Sequence, residues 1–226
     1  MPAASAEEGF GPLSLPPFGQ KAGAGPVVVA IEGPNGAGKT TLSWALSRKL
    51  GVPWCLGTDE AWFAESLKVR MIRDAEWWAS AMFFLSGCLE QMRLLRTRPD
   101  TLVVMDRCLW STFAVHAAES FNRLPTLLEM VRPIAEYIQI PQITVVLEAS
   151  FSTCQERISN KTGTARALDQ LTATTGFHMR EREFYHWLGR QAPTVCFIET
   201  DKQNAEEVAA NALVAVKAKL EKIREI

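Results

Sequence analysis

The chain lacks an excess of either charge. Its 24 Lys and Arg meet 25 Asp and Glu over 226 residues, a formal net charge of -1. A nucleic-acid binder carries a basic surplus, so no nucleic-acid partner is expected. A disordered chain pairs low hydrophobicity with high net charge, whereas 47% of this one is hydrophobic. No apolar run approaches the ~18 residues of a membrane helix, so no membrane span is expected. Paired cysteines are missing too. Cys55, Cys88, Cys108, Cys154 and Cys196 are odd in number and scattered, with no CxxC. That pattern predicts reduced, mostly buried thiols rather than zinc or a disulfide framework. The opening stretch Met1-Pro2-Ala3-Ala4-Ser5 has no basic flank and no apolar core. It predicts neither a secretory signal nor a transit peptide, and hence a cytoplasmic protein. Repeats and low-complexity tracts are absent beyond the first 26 residues.

Those 26 residues hold five Gly, five Pro and five Ala. They read as a flexible extension, with one domain spanning 27–226. Short apolar runs then alternate with longer stretches of helical spacing. Val27–Ile31, Pro53–Leu56, Leu102–Met105, Ile143–Leu147 and Thr194–Ile198 read as strands. Helices are predicted over 39–50, 75–96 and the C-terminal stretch, where Ala205, Val208, Ala212, Val216, Leu220 and Ile223 share one face. Strands alternating with helices predict an α/β fold with a parallel sheet. Ligands of such sheets sit at the carboxyl ends of the strands.

One motif lies at such an end. Gly33-Pro34-Asn35-Gly36-Ala37-Gly38-Lys39-Thr40 has the GxxxxGK[ST] spacing. Its glycines let backbone N–H groups of Asn35, Gly36, Ala37, Gly38, Thr40 and Thr41 converge on phosphate oxygens, beside a helix N-terminus. Lys39 reaches the β- and γ-phosphates, and Thr40 ligates magnesium. The expected nucleotide is ATP with Mg2+. A later strand ends in Asp106-Arg107 rather than the Asp-Glu of a water-activating ATPase. An Arg there suits a charged acceptor or transition state. A guanine-reading Asn-Lys-x-Asp is missing, since Asn160-Lys161-Thr162-Gly163 has no Asp.

Four stretches together resemble the thymidylate kinase group of P-loop kinases: Ile31–Thr41, Asp106–Ala114, Pro141–Glu148 with Arg157, and Phe177–Tyr185. The resemblance implies a five-stranded parallel sheet and a mobile lid at about 159–175. It implies that Lys161 or Arg166 on the lid, or Arg157 before it, stabilises the transferring phosphoryl group. A homodimer is implied as well. Departures from the family bear on the acceptor. Where thymidylate kinases carry Thr-Arg-Glu-Pro, this chain reads Thr58-Asp59-Glu60-Ala61, and a second Arg is replaced by Cys88. Carboxylates repel a monophosphate, but a hydroxyl acceptor needs one as general base. The expectation is therefore phosphoryl transfer to the hydroxyl of a nucleoside or related ring-bearing molecule, with Asp59 or Glu60 as base. Asp106 orders magnesium-bound water or the acceptor, and Arg107 contacts the moving phosphate. A nucleoside monophosphate acceptor is the alternative, favoured by Arg107 and by Arg70 on the next helix. A non-catalytic nucleotide-binding module is a further one. Trp62, Trp77, Trp78 and Trp110 suit ring stacking, and Phe84 aligns with the family's base-stacking Phe. His116 and His178 are expected to be structural hydrogen-bonders.

Overall fold

The computed structural model describes residues 10, 13–20, 25–58, 63–161, 169 and 172–224. Five parallel strands form one sheet in the order β2-β3-β1-β4-β5. They are β1 (Val27–Glu32), β2 (Trp54–Leu56), β3 (Leu102–Asp106), β4 (Ile143–Glu148) and β5 (Val195–Glu199). β1 lies centrally, with Ile31 opposite Asp106 of β3 and Val145 of β4. Val28 to Ile31 have no exposed surface, as a strand covered on both faces requires. The class and the five strands agree with the sequence reading.

Helices cover both faces. On one lie α1 (Lys39–Leu50), α6 (Phe151–Ser159) and α8 (Ala205–Arg224). Their core joins Leu42, Leu46, Cys154, Ala209 and Val216 to Val29, Ile31 and Val145. The other face carries α3 (Trp77–Arg96), α4 (Leu109–Glu119), α5 (Arg123–Val131) and α7 (Thr175–Gln191). Its core is aromatic, with Trp110, Phe113, Phe184, Tyr185 and Trp187 each at most 2% exposed. A short helix, α2 (Glu65–Arg73), precedes α3, and a 3₁₀ helix spans Arg132–Tyr137. Side-chain caps start three of the described helices: the Ser150 hydroxyl accepts from Thr153 N–H, the Thr174 hydroxyl from Phe177 N–H, and Asn204 Oδ1 from Glu206 and Glu207 N–H.

The first 26 residues depart from expectation where they are described. Phe10 is 5% exposed, edge-on to Phe121 at 4.9 Å and to Phe184 at 6.1 Å between ring centroids. Phe18 meets Trp110 edge-on at 5.7 Å, and Gly19 N–H donates to Ala135 O. The Gly, Pro and Ala content hid these two aromatic anchors, which hold Phe10 and residues 13–20 against the second core.

Two partial sequence readings are also corrected. Trp110 is 2% exposed in that core and does not line the acceptor cavity, because α4 turns it toward Phe18 and Phe113. Arg70 is exposed on α2, whose Lys68 and Ile72 line the cavity instead. Lys68 and Ile72 are four residues apart and share a face, while Arg70, two from each, points elsewhere.

Candidate active site

β1 ends in Glu32, and the phosphate loop begins at the next residue. Gly36 has φ 86°, and a Cβ there would lie 2.5 Å from Cys154 O, so this loop position excludes any larger side chain. Lys39 opens α1 and is buried. Its Nζ donates to Gly33 O at 2.5 Å and Pro34 O at 2.7 Å. Burial first, then Arg107, lowers its pKa to about 8 against the pull of Glu181, Asp106 and Glu32. Thr40 and Thr41 are exposed at the start of α1.

Arg157 on α6 braces this loop from behind. It donates to Ala37 O at 3.2 Å, to Thr200 Oγ1 at 3.0 Å and to Thr200 O at 2.9 Å. Its cation thus ties the phosphate loop to the end of β5.

Opposite Lys39, β3 delivers Asp106 and Arg107. Asp106 is 4% exposed, and its Oδ1 has no hydrogen-bond partner. Arg107 is the one non-glycine residue with positive φ among those described, at 67°. Its Nη2 donates to Asn35 Oδ1 at 2.5 Å and its Nη1 approaches Ser111 Oγ at 3.4 Å. Burial opposes its charge, but Asp106, Glu32, Tyr185 and Glu181 outweigh burial and raise its pKa. Asn35 also donates through Nδ2 to Thr172 Oγ1 at 3.0 Å, and Lys161 pairs with Asp169 at 2.6 Å. Asp59, Glu60, Trp62 and Arg166 lie outside the described residues.

Beneath these groups lies Glu32, fully buried. It accepts from Cys108 N–H at 2.7 Å, Ser111 Oγ at 2.5 Å and Tyr185 Oη at 2.9 Å. A charged residue ending an apolar strand was visible in the sequence, but its partners were not. Glu181 on α7, also missed, is 4% exposed, and burial foremost raises its pKa against Lys39 and Arg107.

A cavity of about 660 Å³ opens from this cluster. Trp77, Ser80, Phe84 and Cys88 line it from α3. Ser111, Thr112, Val115, His116 and Glu119 line it from α4. Both sets follow the 3–4 residue spacing of one helix face. The helices run in opposite senses along it. Cys88 is in electrostatic reach of Cys108 at one end, and the Trp77 and His116 rings are 6.0 Å apart at the other. The cavity thus gathers Phe84, Trp77, Asp106 and Arg107. Trp78 is 53% exposed and does not line it. His178 Nε2 donates to Ala149 O over 3.1 Å, a structural role, whereas His116 is among the residues lining the cavity.

A phosphate loop at the end of a central parallel strand, with an Asp-Arg pair across it and a ring-sized cavity beyond, defines a P-loop kinase. The sequence model of the deoxynucleoside kinases matches residues 29–220, and the chain belongs to that family. Its activity is ATP-dependent phosphoryl transfer to a nucleoside or nucleotide. No curated protein matches the chain. Among solved structures it is similar to a thymidylate kinase from Candida albicans, with TM-score 0.65 and 16% identity over 87% of this chain and 93% of that one. It is also similar to a deoxyadenosine kinase from M. mycoides with bound dATP, at TM-score 0.63 and 14% identity over 84% and 100%. At these identities the likenesses speak for the fold.

Proposed function

We propose that the chain transfers the γ-phosphoryl group of ATP to a hydroxyl of a nucleoside. The observation that carries this reading is the charge around the transfer point. Lys39 and Arg107 face three carboxyl groups, Glu32, Asp106 and Glu181. ATP itself draws on both cations. The adjoining α3 wall offers Phe84 and Cys88 rather than a cation, and of the cavity's other cations Arg123 is paired with Glu119, which leaves Lys68 on α2 to compensate a second phosphorylated ligand.

In the proposed mechanism the loop amides and Lys39 bind the donor phosphates. Lys39 exchanges its contacts to Gly33 O and Pro34 O for phosphate oxygens. Asp59 or Glu60 takes the proton of the attacking hydroxyl. Both follow Thr58, which lines the cavity. Arg107, oriented by Asn35 and Ser111, stabilises charge on the transferring group. Magnesium, when bound, would neutralise charge on the donor phosphates. Thr40 and Asp106 would hold it, and the unpartnered Asp106 Oδ1 fits that role. Phe84 and Trp77 contact the acceptor ring, Arg166 supplies a further cation for the transferring group, and Arg157 holds the phosphate loop in place. The five free thiols suit a cytoplasmic, reducing setting. A homodimer belongs to this reading and is checked by light scattering.

A monophosphate acceptor is the second reading, supported by the fixed Arg107 guanidinium at the cavity. ATP consumption against nucleosides and their 5′-monophosphates separates the two. Turnover with nucleosides alone, lost in Asp59→Asn or Glu60→Gln, is the expected result. Turnover with monophosphates alone refutes the hydroxyl acceptor.

A further inference from the structure

Arg107 is aimed by a neighbour that is itself held from outside the phosphate loop. A guanidinium only donates, so Asn35 must turn its Oδ1 toward Arg107, and the contact is 2.5 Å. The other guanidinium contact, to Ser111 Oγ, is longer at 3.4 Å. Asn35 therefore carries most of the orientation. A single hydrogen bond, however, leaves an amide free to swivel, because the terminal torsion of Asn has a broad energy well.

Thr172 supplies the second contact. With Oδ1 taken by Arg107, Asn35 Nδ2 donates to Thr172 Oγ1 at 3.0 Å. That hydroxyl can accept because its own proton goes to Asp169 O at 3.2 Å. Donors and acceptors thus run in one sense from Arg107 through Asn35 and Thr172 to Asp169. An amide suits position 35 for this reason. A carboxylate there could hold Arg107, but it only accepts, and Thr172 would have to withdraw its proton from Asp169 O.

The far end of this chain is anchored. Thr172 O receives Thr174 N–H at 2.9 Å, and Thr174 caps α7. Asp169 pairs with Lys161 at 2.6 Å, and Lys161 N–H reaches Ile158 O on α6 at 3.0 Å. The Thr172 hydroxyl is therefore tied to both α6 and α7. The chain bypasses Lys39, whose Nζ contacts Gly33 O and Pro34 O.

We propose that Thr172 is a positioning residue for phosphoryl transfer: its hydroxyl orients the Asn35 amide and, through it, the Arg107 guanidinium. This role rests on the reading that Arg107 contacts the transferring group, and it is the same for either acceptor. It acts at the transition state, where the direction of the Arg107 N–H groups counts, and leaves ATP binding alone.

Steady-state kinetics with ATP and the best acceptor of the nucleoside and monophosphate panel test it. Thr172→Val keeps the shape of the side chain and removes the hydroxyl. It is expected to lower kcat about five- to tenfold, with KM for ATP within about twofold of wild type. Thr172→Ser restores the hydroxyl and is expected to stay within about twofold of wild type. In an Asn35→Ala background, Thr172→Val is expected to lower kcat by less than about twofold more, as a residue acting through Asn35 must. In protein labelled with ¹⁵N-arginine, the Arg107 Nε–H signal, identified by its loss in Arg107→Lys, is expected to shift in Thr172→Val without any nucleotide. That measurement needs no acceptor. Wild-type kcat in Thr172→Val, equal losses in the Val and Ser variants, the full loss in the Asn35→Ala background, or a stationary Nε–H signal each overturns the role of Thr172 while that of Arg107 stands. Wild-type kcat in Arg107→Ala overturns the reading of Arg107 itself, and the role of Thr172 with it.

Discussion

Tyr185 on α7 donates a 2.9 Å hydrogen bond to Glu32 on β1, 153 residues away in sequence. The same carboxyl group receives Ser111 and the Cys108 N–H. One buried side chain thereby fixes the start of α4 and the middle of α7 beneath the phosphate loop. Glu32→Ala strands these donors and is expected to lower stability by about 3–5 kcal/mol. Tyr185→Phe removes one of them and is expected to cost about 1.5–3 kcal/mol. Urea unfolding at pH 7 measures both. Equal losses in the two variants would contradict a hub at Glu32.

Lys39 couples nucleotide binding to pH. Its pKa drops from 10.5 to about 8, with burial the largest cause. Between those values the unfolded chain holds a proton that the folded chain has shed. This group therefore adds stability as pH rises through that window, and the gain is lost as pH falls through about 8. Phosphates restore the charge, so ATP binding at pH 8.5 takes up a proton and weakens as pH rises further. Calorimetry in two buffers of different ionisation enthalpy reads that uptake. It should vanish in Lys39→Met, and its persistence there would assign the proton to another group.

The backbone of Arg107 is held in a left-handed conformation at φ 67°. Glycine adopts that conformation without the ~1–2 kcal/mol that a Cβ costs. Arg107→Gly should be more stable than Arg107→Ala by about 1 kcal/mol, with phosphoryl transfer lost in both. Gly57→Ala tests the same spot from its neighbour. A Cβ there would lie 2.6 Å from Arg107 O and must push that residue away. The variant is expected to keep ATP binding and lose turnover, and full activity would show that Arg107 tolerates displacement.

Phe10 is part of the domain it precedes. It fills a site among Phe121, Phe184 and Trp187. Phe10→Ala is expected to destabilise the chain by about 3–5 kcal/mol. A thermal or urea transition within about 1 kcal/mol of wild type would show the strap to be dispensable.

The sequence was most legible where one short pattern carries both structure and chemistry. The β-branched run Val27–Ile31 and the glycine loop predicted a buried strand and a phosphate site because strand burial and backbone approach depend on local residue types. Asp106-Arg107 was readable as the end of a strand for the same reason. Contacts between distant segments were not. Whether Trp110 faces the cavity or the core depends on the rotation of α4 and on Phe18, 92 positions earlier. Arg157 looked like a cation free for catalysis, but Thr200 and the loop carbonyls bind it. That Glu119 pairs with Arg123 rather than hydrogen-bonding His116, 3.7 Å away, is likewise undecided by spacing alone.

The two helical faces that line the cavity give this enzyme separable controls. Each turn of α3 and α4 lines one slice of the cavity, from Cys88 and Ser111 at the end nearer Arg107 to Trp77 and His116 at the other. Exchanges on the far turns reshape the cavity without touching Lys39, Asp106 or Arg107. Selection, or an engineer, can change the diet of the enzyme while its chemistry stays in place.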